Sequence, residues 1–129
     1  MNETYDIAIV GATGSVGREI LQILEQRKFP INNLYLLASE KSKGSKIEFN
    51  NEEIIVDDLS NFDFSKTQIS LFSPGSTVSS KFAPLAAEKG SLVIDNTSYF
   101  RMHKDVPLIV PEVNPEAIKN HNNIIANPN

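Results

Sequence analysis

A chain of 129 residues fits one domain, a size at which roughly two thirds of the unfolded surface can be buried in a core. Apolar residues at 40% and charged residues at 22% are ordinary for a globular protein, and a net charge of −4 disfavours nonspecific binding to nucleic acid or an anionic membrane. Without any Cys there is no disulfide, thiolate nucleophile or Cys-ligated metal within these residues.

The first six residues lack the basic-then-apolar pattern of a signal peptide, and no apolar run approaches the roughly 18 residues of a membrane span, so the expectation is a cytoplasmic protein with no membrane association. Asp6 to Val10 (DIAIV) reads as a strand that ends in glycine. Ser15 to Lys28 reads as a helix with Val16, Ile20, Ile23 and Leu24 on one face, Arg27 near its end, and Phe29-Pro30 closing it. Leu34 to Ala38 is a second strand. Lys46 to Phe49 and Ile54 to Val56 flank Asn50-Asn51 and predict a hairpin. Ile69 to Phe72 is a strand followed by the loop Ser73-Pro74-Gly75-Ser76. Val78 to Lys89 repeats the helical pattern through Val78, Phe82, Leu85 and Ala86. Pro84 is expected to kink that helix or delay its start, and Gly90 to stop it. Leu92 to Ile94, Leu108 to Val110, a short helix around Pro115 to Lys119, and Ile124 to Ala126 complete the series.

Strands alternating with amphipathic helices predict an α/β fold: a Rossmann-like doubly wound, mostly parallel sheet with flanking helices, formed as one dinucleotide-binding domain over residues 1–129. Ligands of such folds gather at the C-terminal ends of the strands, which here carry Gly11, Ser39, Ser73, Asp95 and Asn127.

Gly11-Ala12-Thr13-Gly14-Ser15-Val16-Gly17 follows the first strand and opens the first helix. A sharp turn, a diphosphate close to the backbone and tight helix packing are each easier without a Cβ. The helix N-terminus offers unpaired N–H groups and a positive dipole end, and Thr13 and Ser15 add hydroxyl donors. The spacing is G-x-x-G-x-x-G, not the commoner G-x-G-x-x-G, and the competing reading is a strand-to-helix turn with no ligand. At the end of the second strand, Ser39-Glu40-Lys41-Ser42-Lys43-Gly44 supplies two lysines and serines that could surround a ribose 2′-phosphate. Glu40 would instead suit the 2′-hydroxyl of NAD if it pointed inward, and the segment also reads as a solvated charged loop. Arg101, after a polar loop at a strand end, suits a bidentate anion clamp or a surface ion pair. His103 and His121 read as exposed, with no partner at a telling spacing.

GATGSVG, LASEKSKG, SPGSTVS, DNTSYFR, VPLIVPEVN and IIANPN occur in order, and together they resemble the N-terminal domain of the aspartate-semialdehyde dehydrogenase family across nearly the whole chain. That family reduces aspartyl phosphate to aspartate semialdehyde with NADPH, on the route to lysine, threonine and methionine. The resemblance implies that Thr13, Gly14, Ser15 and Val16 hold the cofactor diphosphate, and that Lys41 and Ser42 stand where the family usually has Arg-Ser against the 2′-phosphate. It implies that Ser73, Gly75 and Thr77 line the far end of the groove, and that Asn96 and Arg101 hold the substrate's phosphoryl group or inorganic phosphate. It places the nucleophilic Cys directly after Asn127-Pro128-Asn129, and the acid–base His in a catalytic and dimerisation domain absent from this chain. The family is homodimeric, and on this reading the chain alone is inactive. A free-standing NADP-binding sensor or scaffold is the alternative. An epimerase or reductase would want Tyr-x-x-x-Lys, and Tyr5, Tyr35 and Tyr99 have no Lys four residues on.

Overall fold

The computed structural model describes residues 3–97, 99 and 123–126. The chain order is β1 (Tyr5–Val10), α1 (Ser15–Gln26), β2 (Ile31–Ala38), β3 (Lys46–Phe49), β4 (Glu52–Asp58), β5 (Ile69–Phe72), α2 (Ser76–Glu88), β6 (Leu92–Asp95) and β7 (Ile124–Ala126). The expected strand Leu108 to Val110, the short helix around Pro115 to Lys119, and Arg101, His103, His121 and residues 127–129 lie outside the described residues. Among the described residues, no helix is long and apolar enough to cross a membrane.

The strands form one sheet in the order β3-β4-β2-β1-β5-β6-β7. All neighbours are parallel except the β3–β4 hairpin. Its turn residues Asn50 and Asn51 have φ of 50° and 66°, the left-handed pair that a tight hairpin requires and that Asn tolerates. From β1 the chain runs outward to β2 and β4, then returns to place β5 on the other side of β1, so the winding reverses at β1 and β5.

Both faces of the central strands are covered, which explains why their sequences are nearly continuous apolar runs. Ala8, Val10, Leu37, Phe72 and Val93 point to one face, where they meet Ala83 and Ala86 of α2. Ile7, Ile9, Leu36 and Val56 point to the other, where they meet Leu21 of α1. Fully burying each of the larger side chains contributes about 1.5–3 kcal/mol.

The helices seat partly as the periodicity reading has them: Ile20 and Leu24 of α1 and Val78, Phe82 and Ala86 of α2 pack on the core. In α1 the buried residues are Gly17 and Leu21, whereas Val16 and Ile23 are 38% and 43% exposed. The glycine lets that side of the helix come closest to the neighbouring backbone, which leaves Val16 and Ile23, on the far side of the stripe, outside the core. α1 ends at Gln26, and Lys28 takes a left-handed φ of 51°. In α2 the small residues Ser79, Ala83 and Ala86 face the sheet and Leu85 is exposed. Pro84 does not delay α2, which starts at Ser76, before the expected Val78, and continues through the proline. Pro84 lies on the exposed side, where the carbonyl left without its helical partner can be solvated. Gly90, with φ of 93°, closes the helix as expected.

Candidate functional site

The site is built from the ends of four parallel strands around the reversal. β1 ends at Val10 and the chain turns at Gly11, where φ is 88°. The loop hangs on β2: the Gly11 and Ala12 N–H groups both donate to the Leu37 carbonyl, at 2.9 and 3.2 Å. It also lies against the loop after β5. A Cβ on Gly11 would sit 2.9 Å from the Ser73 carbonyl carbon and oxygen, and the Ser73 N–H donates to the Val10 carbonyl at 2.9 Å. Gly11 is therefore required twice, for its φ and for the close approach of two loops.

Gly14 is the N-cap of α1. No side chain caps the helix and no acidic residue stands in its first turn. The first N–H groups of a helix have no intrahelical acceptor, so this end is left as a positive, donor-rich terminus. A Cβ on Gly14 would meet only the Gly11 carbonyl oxygen, at 3.5 Å. Gly17 is different: a Cβ there would overlap the Gly11 carbonyl oxygen and come within 2.9 Å of the Ala12 Cα. The third glycine thus seats the helix on its own loop, a contact that replaces the helix–sheet approach expected from the sequence.

A groove of about 510 Å³ opens over these turns. One side is formed by Gly11, Thr13 and Gly14, the floor and rim by Ala38, Ser39, Glu40, Asp58, Leu59 and Ser60, and the far side by Ser73, Pro74, Val78, Lys81 and Phe82. This is the crevice in which open α/β sheets bind ligands, and its volume suits a drug-sized or nucleotide-sized molecule.

Of the expected residues, Gly11, Thr13, Gly14, Ser39 and Ser73 come together in the groove lining. Ser15 and Val16 form the first turn of α1 beside it. Ser42 touches the glycine loop, its Oγ 3.5 Å from Thr13 Oγ1. Lys41 lies exposed on the short 3-10 turn Glu40–Ser42 and is outside the lining, whereas Glu40 is within it. Gly75 caps α2 with φ of 103°, and Thr77 is exposed in the first turn of that helix, which also lacks a side-chain cap. Asn96 stands apart, at a smaller cavity of about 190 Å³ with Ile20, Leu71 and Ile94. Its N–H donates to the Phe72 carbonyl at 2.8 Å.

Sequence reading missed Asp58, Leu59 and Ser60 at the end of β4 and Lys81 and Phe82 on α2. Asp58 caps the 3-10 turn Leu59–Asn61, accepting from Ser60 N–H at 3.0 Å and Ser60 Oγ at 2.8 Å. Those two bonds hold its carboxyl below the usual carboxylate value, with a smaller contribution from the Lys43 charge. The available signal was the run Asp57-Asp58-Leu59-Ser60, an acid with a Ser two residues on, which is an Asx-turn pattern at a strand end. Lys81 lies 5.2 Å from the Phe82 ring centroid, so the groove's far side pairs a cation with an aromatic face.

Comparison with known proteins gives three kinds of likeness. The family model for the semialdehyde dehydrogenase NAD binding domain matches residues 6–121. The aspartate-semialdehyde dehydrogenase 2 of Vibrio cholerae serotype O1 is 52% identical over 131 aligned positions, covering 100% of this chain and 39% of that relative. The crystal structure of aspartate semialdehyde dehydrogenase II complexed with ASA, from Vibrio cholerae, matches 98% of this chain and 42% of its own at a TM-score of 0.95 and 52% identity. That of the Candida albicans aspartate semialdehyde dehydrogenase with NADP matches 96% of this chain and 42% of its own at 0.80 and 25% identity. The chain thus spans about two fifths of the length of the curated relatives it matches, 39% for the Vibrio cholerae enzyme.

Proposed function

This chain belongs to the semialdehyde dehydrogenase NAD-binding domain family, and from that premise we propose that it is the NADP(H)-binding part of an aspartate-semialdehyde dehydrogenase, which interconverts aspartyl phosphate and aspartate semialdehyde. The observation that carries this reading is the groove at the winding reversal, faced by an uncapped helix N-terminus with no acid in its first turn. The residues fit a dinucleotide. The space above Gly14 is clear of side chains, and the donors needed for a diphosphate come from backbone, where a Cβ would obstruct them.

On this reading Gly11, Thr13, Gly14, Ser15 and Val16 hold the diphosphate. Ser39, Lys41 and Ser42 meet the 2′-phosphate, with Ser42 braced against Thr13. Ser73, Gly75 and Thr77 border the other end, and Asn96 and Arg101 take the phosphoryl group of the acyl phosphate or inorganic phosphate. When bound, NADP(H) supplies or accepts the hydride. The chain's own residues bind it, orient it and exclude water on the sheet side. No Cys occurs among the 129 residues, so a thiolate nucleophile must come from outside them, and these residues alone catalyse no turnover. A cytoplasmic, homodimeric enzyme completes the proposal.

Cofactor choice is its sharpest test, because Glu40 lines the groove and Lys41 reaches it only with an exposed side chain. Calorimetric titration should give tighter binding of NADP(H) than NAD(H). Lys41→Ala should weaken NADP by about 1.5–3 kcal/mol, a charge-assisted hydrogen bond, and leave NAD nearly unchanged. Equal affinities in the unaltered chain would reject the 2′-phosphate assignment and make Glu40 the ribose ligand.

A further inference from the structure

Asp95 ends β6 fully buried, and the groove lining does not include it. Three donors converge on its carboxyl. Ser79 Oγ reaches Oδ1 at 2.8 Å, the Thr97 N–H reaches Oδ1 at 3.3 Å, and Thr97 Oγ1 reaches Oδ2 at 2.8 Å. Thr97 Oγ1 in turn accepts from the Tyr99 N–H at 3.4 Å. The carboxyl is the common acceptor of two segments. One is the first turn of α2, whose neighbouring residues Val78, Lys81 and Phe82 wall the groove. The other is the loop after β6, which carries Asn96 and Thr97. Ser79 and Asp95 have no contact with solvent, so a break in this network leaves a buried polar group without its partner, and partial breaks are costly.

We infer that Asp95, through Ser79, is a positioning residue that joins the nucleotide groove to the loop after β6, so that filling the groove is felt at Asn96 and Thr97. The inference rests on the nucleotide reading above and adds to it a link between the cofactor side and the anion side of the site. The physical route is short. A ligand pressing on the α2 wall changes the Ser79 position relative to the sheet, and the fully buried carboxyl passes that change to Thr97 because it has no solvent to relax into.

Backbone amide NMR during NADP titration tests it. In the unaltered chain, the amides of residues 11–17 and those of Asn96 and Thr97 should shift together. Ser79→Ala removes the link but keeps the Asp95–Thr97 clasp. In that variant the glycine-loop amides should still shift, the Asn96 and Thr97 shifts should collapse, and the NADP Kd should rise at least about fivefold, the lower end of coupling between linked sites. Ser79→Thr, which keeps the hydroxyl, should restore both. If Ser79→Ala does not fold, Asp95→Asn is read instead: its amide oxygen can keep the two donors on Oδ1 while its NH2 replaces the acceptor of Thr97 Oγ1, so the link is broken on the Thr97 side and the Asn96 and Thr97 shifts should again fall. Undiminished Asn96 and Thr97 shifts in a folded variant would overturn the inference alone. Silent glycine-loop amides in the unaltered chain would overturn the nucleotide reading and the inference with it.

Discussion

The two strand-to-helix turns that flank the groove use glycine for different reasons. In the turn between β1 and α1, glycine supplies space, with a left-handed φ needed as well at Gly11: a Cβ on Gly11 or Gly17 would run into backbone. In the turn between β5 and α2, Gly75 has nothing within 4 Å of where a Cβ would be, but its φ is 103° with ψ of 158°, a conformation nearly closed to other residues. The first turn is a packed object whose shape fixes where a helix terminus points. The second is an open turn whose backbone angle fixes where a groove wall begins. Equivalent positions in the topology therefore answer differently to the same substitution.

The largest effect is expected within the first turn, where two glycines three residues apart should part company. Gly17→Val must push α1 off its own loop, and overpacking against backbone should cost about 3 kcal/mol of stability in urea unfolding, with loss of nucleotide binding as a consequence. Gly14→Val should leave stability almost unchanged, because the backbone there is extended (φ −77°, ψ 168°) and the nearest atom is at ordinary contact distance. Its nucleotide titration should nevertheless be flat, because the added side chain occupies the path to the helix terminus. Normal binding by Gly14→Val would show that this turn is structural only. Equal melting temperatures for the two variants would remove the distinction between them.

A smaller effect is expected at Gly75. Gly75→Ala meets no atoms, so any loss of stability must come from the backbone angle, about 1–3 kcal/mol for a residue held in that region. Nucleotide affinity should fall with it, since the α2 wall starts there. An unchanged unfolding midpoint would mean that the loop relaxes to negative φ at no cost, and the contrast between a space-limited and an angle-limited turn would fail.

The elements that carried their own local signal were legible in the sequence. The strands of the central sheet were marked by apolar runs ending in Gly, Ser or Asp. The hairpin was marked by Asn50-Asn51, whose left-handed angles are the ones that dipeptide favours. What was not legible depended on packing between distant segments. Periodicity assigned Val16 and Ile23 to the buried face of α1, but the seat of that helix is decided by Gly17 against Gly11, a contact no hydrophobic pattern records. Likewise α2 turns Ala83 and Ala86, not Leu85, to the sheet, because small residues let the helix approach. Five of the groove-lining residues, Gly11, Thr13, Gly14, Ser39 and Ser73, lie on the glycine loop and the strand ends, where the sequence pattern points. Asp58 to Ser60 and Lys81 with Phe82 come from chain positions that the strand order β4-β2-β1-β5 brings together. Lys41 stands on an exposed 3-10 turn outside the groove lining, a placement that the charge pattern does not record.

The smallest effect concerns the third wall of the groove, at the end of β4, where a carboxylate takes the place of glycine. Asp58 and Asp63 each cap a 3-10 turn, accepting from Ser60 and Ser65 respectively. In both cases these hydrogen bonds hold the carboxyl below its usual value, Ser60 through its backbone first and Ser65 through its side chain first, with nearby lysines adding less. A carboxyl whose folded value lies below its unfolded value stabilises the fold above the unfolded value. That contribution is lost as pH falls through the folded one, so unfolding should become easier, with proton uptake, as pH drops below about 4. Asp63 is exposed and Asp58 half-buried, and solvent reaches and screens both, so the slope should be shallow. Asp58→Asn and Asp63→Asn should each flatten it slightly. Only Asp58 lines the groove, so only its variant should change the nucleotide titration at neutral pH. If the groove binds an anionic dinucleotide, removing that charge should tighten it, and the change should shrink as salt is raised. Weaker binding by Asp58→Asn would instead make the carboxylate an acceptor for a ligand hydroxyl. That outcome would place a ribose against the β4 wall and assign this turn a direct part in recognition.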